Sequence, residues 1–335
     1  MTDQLQLRIE QQKSPIADEV SALTAIVRPI FEATLYSLNR SIVDQLGGEA
    51  NITLEMLARV YKPGDGDCGI CFEWAVHDAI KRKDAPVYER IADALKRCKV
   101  PGKDPASILF GGEKTGALRL IDTAKDLLTD DSRVLGGRVG QPAKLKNRLS
   151  LLANALHRPQ ARFFLPQSIS GLWKADLFLG DPKEDRWVGT SVKVNPLQVE
   201  GASGLRVAIV PSRQGKSDKI VIDNSKNIVL CPLPYDGAFM ELFYRAWNIV
   251  RQFFSASAKC PKEVNLPLAA ERQVARTLES RRSFPVVDVI DAMLPECQPE
   301  LLETSVSKQT VTVSSGIVSK VEAVVAPRAR IQKQS

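Results

Sequence analysis

The chain has 335 residues, 44% of them hydrophobic and 25% charged, which is material for one large core or two small ones and excludes a disordered chain. Six cysteines spread over that length are no disulfide framework. The opening MTDQLQLRIEQQ lacks an apolar stretch behind a basic one, so the expectation is a cytoplasmic protein with reduced thiols and no membrane span. A formal net charge of +7 favours an anionic partner, nucleic acid being the commonest, and two histidines, His77 and His157, argue against a histidine-rich metal centre.

In chain order, apolar residues at helical spacing from Ile16 to Leu46 predict helix over 15–47, kinked or divided at Pro29 and ended by Gly47-Gly48. Asn51 or Thr53 can cap a short helix through Val60. Lys62 to Asp67 is loop by composition. The next helix starts near Cys68–Cys71, with Phe72, Ala75, Val76, Ala79 and Ile80 as its apolar stripe and Glu73 at the stripe's edge, half facing the core. Further helices are expected at 86–97, 116–128 and 143–156. After about residue 160 the texture changes to strand-like runs: 161–165, 172–179, 186–194, 205–210 and 228–233. Helix returns at 237–257, 267–282 and 286–294. The segment after 304 reads as a mobile basic tail, with five Lys/Arg against one Glu over 308–335. The organisation expected is therefore a mostly helical region (1–160), an α/β core with C-terminal helices (161–300) and a basic tail (301–335). The fold class is α/β, a small mixed sheet of about five strands flanked by helices, with a helical N-terminal region and a helical insertion.

The residues that suggest chemistry lie on two of these strands. Lys174-Ala-Asp-Leu-Phe-Leu-Gly180 puts an acid, Asp176, on an apolar strand, which is costly unless the acid is paired or holds a cation. Seventeen residues on, Thr190-Ser-Val-Lys-Val-Asn195 puts Lys193 on a second strand, after a polar turn over 181–186. Neighbouring strands of this kind can hold Asp176 and Lys193 side by side at a sheet end. An acid on one strand and an x-x-Lys motif on the next resembles the PD-(D/E)XK superfamily, the restriction-endonuclease-like fold. The segment Gly69-Ile-Cys-Phe-Glu-Trp-Ala-Val76 is similar to that superfamily's leading helix, with Glu73 as its acid.

The resemblance implies a Mg²⁺-dependent nuclease (Mn²⁺ serving as well). It would act on DNA, less readily on RNA, in bacterial restriction or anti-phage defence, as a homodimer or with a partner protein. Asp176, Glu73 and the Val192 carbonyl would be the metal ligands, and Lys193 would position the water or stabilise the transition state. Carboxylates suit a hard cation that prefers oxygen, and such a cation polarises phosphate and acidifies water. The sequence departs from the pattern in two ways. Ser191 stands where an acid is expected two positions before the lysine, and a long insertion separates the Glu73 helix from the first strand. Ser191 keeps open a second reading, a catalytically inactive nucleic-acid-binding module of the same fold.

A third reading starts from Asp67-Cys-Gly-Ile-Cys-Phe72, which resembles the nucleophile segment of papain-like cysteine hydrolases with Cys71 as nucleophile, a helix N-terminus lowering its thiol pKa. No histidine follows His157 to serve as base. Cys68 and Cys71 also resemble a redox pair, but a Pro/Gly/Asp loop precedes them where that fold has a strand. Phe110-Gly-Gly-Glu-Lys-Thr-Gly116 misses the phosphate-loop spacing and reads as a glycine turn with Thr115 or a neighbour capping the next helix.

Overall fold

The computed structural model describes residues 15–62, 67–115, 124–136, 141–212, 218–235 and 239–297. The expected basic tail and most of the helix expected at 116–128 lie outside them; 124–127 are helical.

Helix α1 (Pro15–Tyr36) buries Leu23, Ile26, Val27, Ile30, Phe31 and Leu35. Its apolar surface is too wide for one neighbour, and four helices pack on it: α4 (Cys68–Lys81), α7 (Phe239–Ser255), α8 (Ala269–Ser280) and α9 (Val286–Met293). Pro29 lies inside α1 without dividing it. A proline removes one helical hydrogen bond, and the buried residues flanking it are held by neighbours on several sides. The break comes later, where the Ser37 and Leu38 amides close back on Ala33, Thr34 and Leu35 and Asn39 caps α2 (Arg40–Gln45). Thr53 caps α3 (Leu54–Val60) through the Met56 amide, and α5 spans Ala85–Arg97.

The strands are β1 (Ala106–Leu109), β2 (Arg133–Val134), β3 (Ala143–Lys144), β4 (Leu177–Asp181), β5 (Arg186–Val192), β6 (Leu205–Pro211), β7 (Val221–Asp223) and β8 (Ile228–Leu233). They form one mixed, open sheet in the order β1-β4-β5-β6-β8-β7, with β2 beside β5 and β3 beside β2. β4 runs antiparallel to both its neighbours, β1 and β5, whereas β5, β6 and β8 run parallel. The α/β class is as expected, but the sheet has eight strands among the described residues where about five were expected. Its strands β1–β3 and helix α6 (Leu145–His157) come from the region read as mostly helical, so 1–160 and 161–300 share one sheet.

Alternation along the strands sends residues to two cores. Leu109, Leu177, Leu179, Val188, Val192, Val207 and Ile209 face the α1 helical layer. Ile108, Phe110, Phe178, Trp187, Ala208 and Val210 face a smaller core closed by α6. One expected strand, 161–165, is absent: 161–164 belong to a 3-10 helix, Pro159–Phe164, whose Phe163 and Phe164 point to solvent. A short apolar run has no period by which to tell a buried strand from a surface turn, and Pro159 and the lack of a partner edge decide it here.

Candidate functional site

The site is built where β4 begins and β5 ends. The Asp176 amide donates to the Thr190 carbonyl at 2.9 Å, which fixes the residue just ahead of β4 against β5. Its own carbonyl accepts from the Phe110 amide (2.9 Å) and the Gly111 amide (2.7 Å), tying it to the turn that follows β1. The side chain is fully buried. Its Oδ2 accepts from the Val192 amide at 2.8 Å, the Lys193 ammonium at 2.8 Å and, more distantly, the Ser191 hydroxyl at 3.3 Å. A buried carboxylate with charge-assisted and backbone donors is a satisfied group rather than a stranded one.

Lys193 follows the last β5 residue, and its amide donates to the Ile209 carbonyl of β6 at 3.0 Å. Its ammonium lies 2.8 Å from Asp176 Oδ2 and 3.9 Å from Glu73 Oε1, and the side chain is 28% exposed. Glu73 reaches this point from α4, a helix started by Asp67, whose carboxylate accepts from the Ile70 amide. Glu73 is 6% exposed. The structure thus brings together Glu73, Asp176 and Lys193 from one helix and two strands. Val192 faces Asp176 with its amide. In an extended strand the carbonyl of a residue leaves on the same edge as its N–H, so that oxygen is directed toward the β4 side.

Two further residues shape the site and were not singled out from sequence. A Cβ on Gly111 would run into Glu73 Oε2, and it would lie 3.5 Å from the Asp176 carbonyl. The glycine turn expected after Phe110 is a 3-10 segment (Gly111–Thr115) that makes room for Glu73, and the helix start it was expected to cap lies outside the described residues. One helical turn beyond Glu73, the half-buried His77 ring approaches the Ser107 hydroxyl of β1 through Nδ1 at 2.6 Å, and burial first, then Lys81 and Arg28, pull its pKa down to about 3. The signals available for these two were a Gly-Gly pair directly after an apolar run and a histidine four residues from an acid.

Positive charge is held between two carboxylates that both lie within 4 Å of one nitrogen. The two carboxylates are the residues here that could hold a Mg²⁺ ion, which takes one or two carboxylates and completes its octahedron with water. Ser191, at the position of the expected third acid, contributes a hydroxyl and no charge. Among the described residues no group of three or more His, Cys, Asp and Glu side chains is placed to hold a metal.

The thiols are arranged differently. Cys71 is fully buried and turned toward α1 and α7, in a small cavity it shares with Ile30, Thr34, Trp247 and Phe254. Burial, with Cys68 adding to it, pushes the Cys71 thiol well above its ordinary range, and burial raises Cys68 to about 11. A reactive thiol needs the opposite shift, and His77 points to Ser107. No helix among the described residues is long and apolar enough to cross a membrane. No protein-family model, curated protein or solved structure matches the chain.

Proposed function

We propose that the protein is a divalent-metal-dependent nuclease of the restriction-endonuclease-like type, acting on phosphodiester bonds of nucleic acid, DNA first. The observation that carries this reading is the meeting of Glu73, Asp176 and Lys193, far apart in the chain, around one ammonium nitrogen 2.8 Å and 3.9 Å from the two acids. The order β1-β4-β5 antiparallel followed by β6 parallel, with the acid on β4's start and the lysine at β5's end, supports it.

Asp176 and Glu73 would hold Mg²⁺, or Mn²⁺ in its place, with the Val192 carbonyl as a further oxygen. When bound, the ion supplies Lewis-acid polarisation of the phosphate and a more acidic water. The chain's own residues do the rest. Val192 N–H orients the Asp176 carboxylate at 2.8 Å. The Gly111 turn lets Glu73 approach. Lys193, partly exposed on its open side, is placed to hydrogen-bond an attacking water or a phosphoryl oxygen as negative charge develops. Ser191 donates to Asp176 and adds no negative charge, which favours a modest metal affinity.

Incubating the full chain with single-stranded, duplex and RNA substrates in Mg²⁺ or Mn²⁺ tests the reading. Cleavage that needs the ion and falls at least a hundredfold in Lys193→Ala and Glu73→Gln is the expected result. A chain that retains substrates in a gel but never cuts them is the inactive binding module, the second reading, which Ser191 favours. Retained cleavage in either variant removes Lys193 and Glu73 from the mechanism, and loss of cleavage on Cys71→Ala in a folded protein would return the thiol reading.

A further inference from the structure

Two of the most solvent-exposed large apolar side chains of the described residues are adjacent aromatics, Phe163 (89% exposed) and Phe164 (76%). Each leaves a ring in water that burial would favour, so their position calls for an occupant. They end the 3-10 helix Pro159–Phe164, which is anchored on both sides. Arg162 Nε donates to the Ala155 carbonyl of α6 at 3.0 Å, and its guanidinium lies 3.6 Å from the centre of the Trp173 ring. Trp173 belongs to the turn Leu172–Lys174 that leads directly into Asp176.

The same turn links the aromatics to the site. Lys174 Nζ stands 5.6 Å from the Trp173 ring centre and 2.7 Å from the Glu200 carboxylate. Connected residues therefore lead from Lys193 to Asp176, 2.8 Å away, back along the Leu172–Lys174 turn to Trp173, and through Arg162 to the two phenylalanines.

We infer that Phe163 and Phe164 are a stacking platform for unpaired bases, and that the strand it holds passes Arg162 and Lys174 on its way to Lys193. The proposal builds on the phosphodiester reading, which gives a strand a reason to end at Lys193, and it narrows the substrate to single-stranded or locally opened nucleic acid. Bases in a closed duplex stack on one another and offer only edges, whereas a single strand offers ring faces that aromatic side chains accept whatever the sequence. Arg158 and Arg162, in the segment that carries the two phenylalanines, and Lys174, paired with Glu200 on the turn that Arg162 packs against, suit the accompanying phosphates.

Fluorescence anisotropy of the full chain in EDTA tests this with three labelled probes of equal length: an oligo-dT strand, its duplex, and a strand of abasic sites that keeps the phosphates and lacks the rings. The wild type should prefer oligo-dT over both others. Phe163→Ala with Phe164→Ala should weaken oligo-dT binding at least tenfold and leave the other two within twofold, while Phe163→Trp with Phe164→Trp restores it. Both positions are at the surface, so the fold survives, which circular dichroism verifies. Equal binding of abasic and dT strands by the wild type overturns the proposal. So does an alanine variant that binds dT normally, or one that only dissolves a dimer in sedimentation. Phenylalanine-dependent binding without any metal-dependent cleavage would leave the platform and remove the nuclease; cleavage with phenylalanine-independent binding would do the reverse.

Discussion

Gly111 and Glu73 occupy one space: a Cβ on the glycine would coincide with the region taken by Glu73 Oε2. The carboxylate can reach Lys193 because the residue after Phe110 has no side chain. The Gly111 backbone is not in the left-handed region, so an alanine can be built there without conformational strain, and the clash alone decides its effect.

Gly111→Ala is therefore expected to displace Glu73 while leaving the Asp176–Lys193 pair in place. Metal-dependent cleavage should drop about as far as in Glu73→Gln, with a loss of stability in the range of roughly 1–3 kcal/mol typical of overpacking. Urea unfolding and turnover measured together check this. Full activity in Gly111→Ala would mean that Glu73 has no part in the chemistry.

Asp176 and Lys193 should contribute unequally to stability. Asp176 is fully buried and accepts from three donors, whereas Lys193 is 28% exposed. Removing the acid strands a buried amide and an ammonium, so Asp176→Ala is expected to lose about 3 kcal/mol. Lys193→Met leaves the buried Asp176 carboxylate to the Val192 amide and the Ser191 hydroxyl, so it should lose less, about 2 kcal/mol. The double variant should be less damaged than the two losses added, by about 1 kcal/mol, because the groups are in contact. Additive losses in denaturant titrations would show that the pair is not coupled.

His77 predicts a pH dependence. Its folded pKa, about 3, lies below the ordinary 6.5, so the unfolded chain takes up a proton that the folded chain refuses. Stability from this residue is complete above pH 6.5 and is lost as pH falls from there toward 3, at about 1.4 kcal/mol per pH unit. Between pH 6.5 and 5 that amounts to at most about 2 kcal/mol, since the ring is only half-buried. His77→Gln should flatten this part of the curve; an unchanged slope would show that His77 titrates normally.

How far the sequence discloses this site follows from the kind of signal each residue carries. Asp176 was legible because an acid inside Ala175-Asp-Leu-Phe-Leu179 has to be paired, and Lys193 because it follows at a hairpin's distance. Glu73 was legible from its angle on the α4 stripe. Gly111 was not, because a glycine pair after an apolar run marks a turn in any context, and the need for a missing Cβ arises only when α4 is packed on β1. Phe163 and Phe164 read as part of a strand for the same reason: local hydrophobicity states a preference for burial, and only the tertiary structure decides whether it is met. Strands β2 and β3, two residues each, carry no periodicity at all.

Ser191 offers the sharpest test of the metal. It is 4% exposed, and its hydroxyl lies 3.3 Å from Asp176 Oδ2, so Ser191→Asp sets a second carboxylate beside the first. Without a cation, like charges in a buried site repel and one of them must take a proton. The variant in EDTA should be roughly 1–3 kcal/mol less stable than the wild type. A divalent ion converts that repulsion into a third oxygen ligand, so millimolar Mg²⁺ should return the loss, about 2.7 kcal/mol if the concentration is a hundred times the dissociation constant. The wild type, with a serine there, should gain less from the same ion. Thermal melts of both proteins with and without Mg²⁺ measure the difference. If Mg²⁺ raises neither melting temperature, the carboxylates do not gather around a metal and Lys193 is their permanent counter-ion; if it raises the two equally, position 191 is not among the ligands.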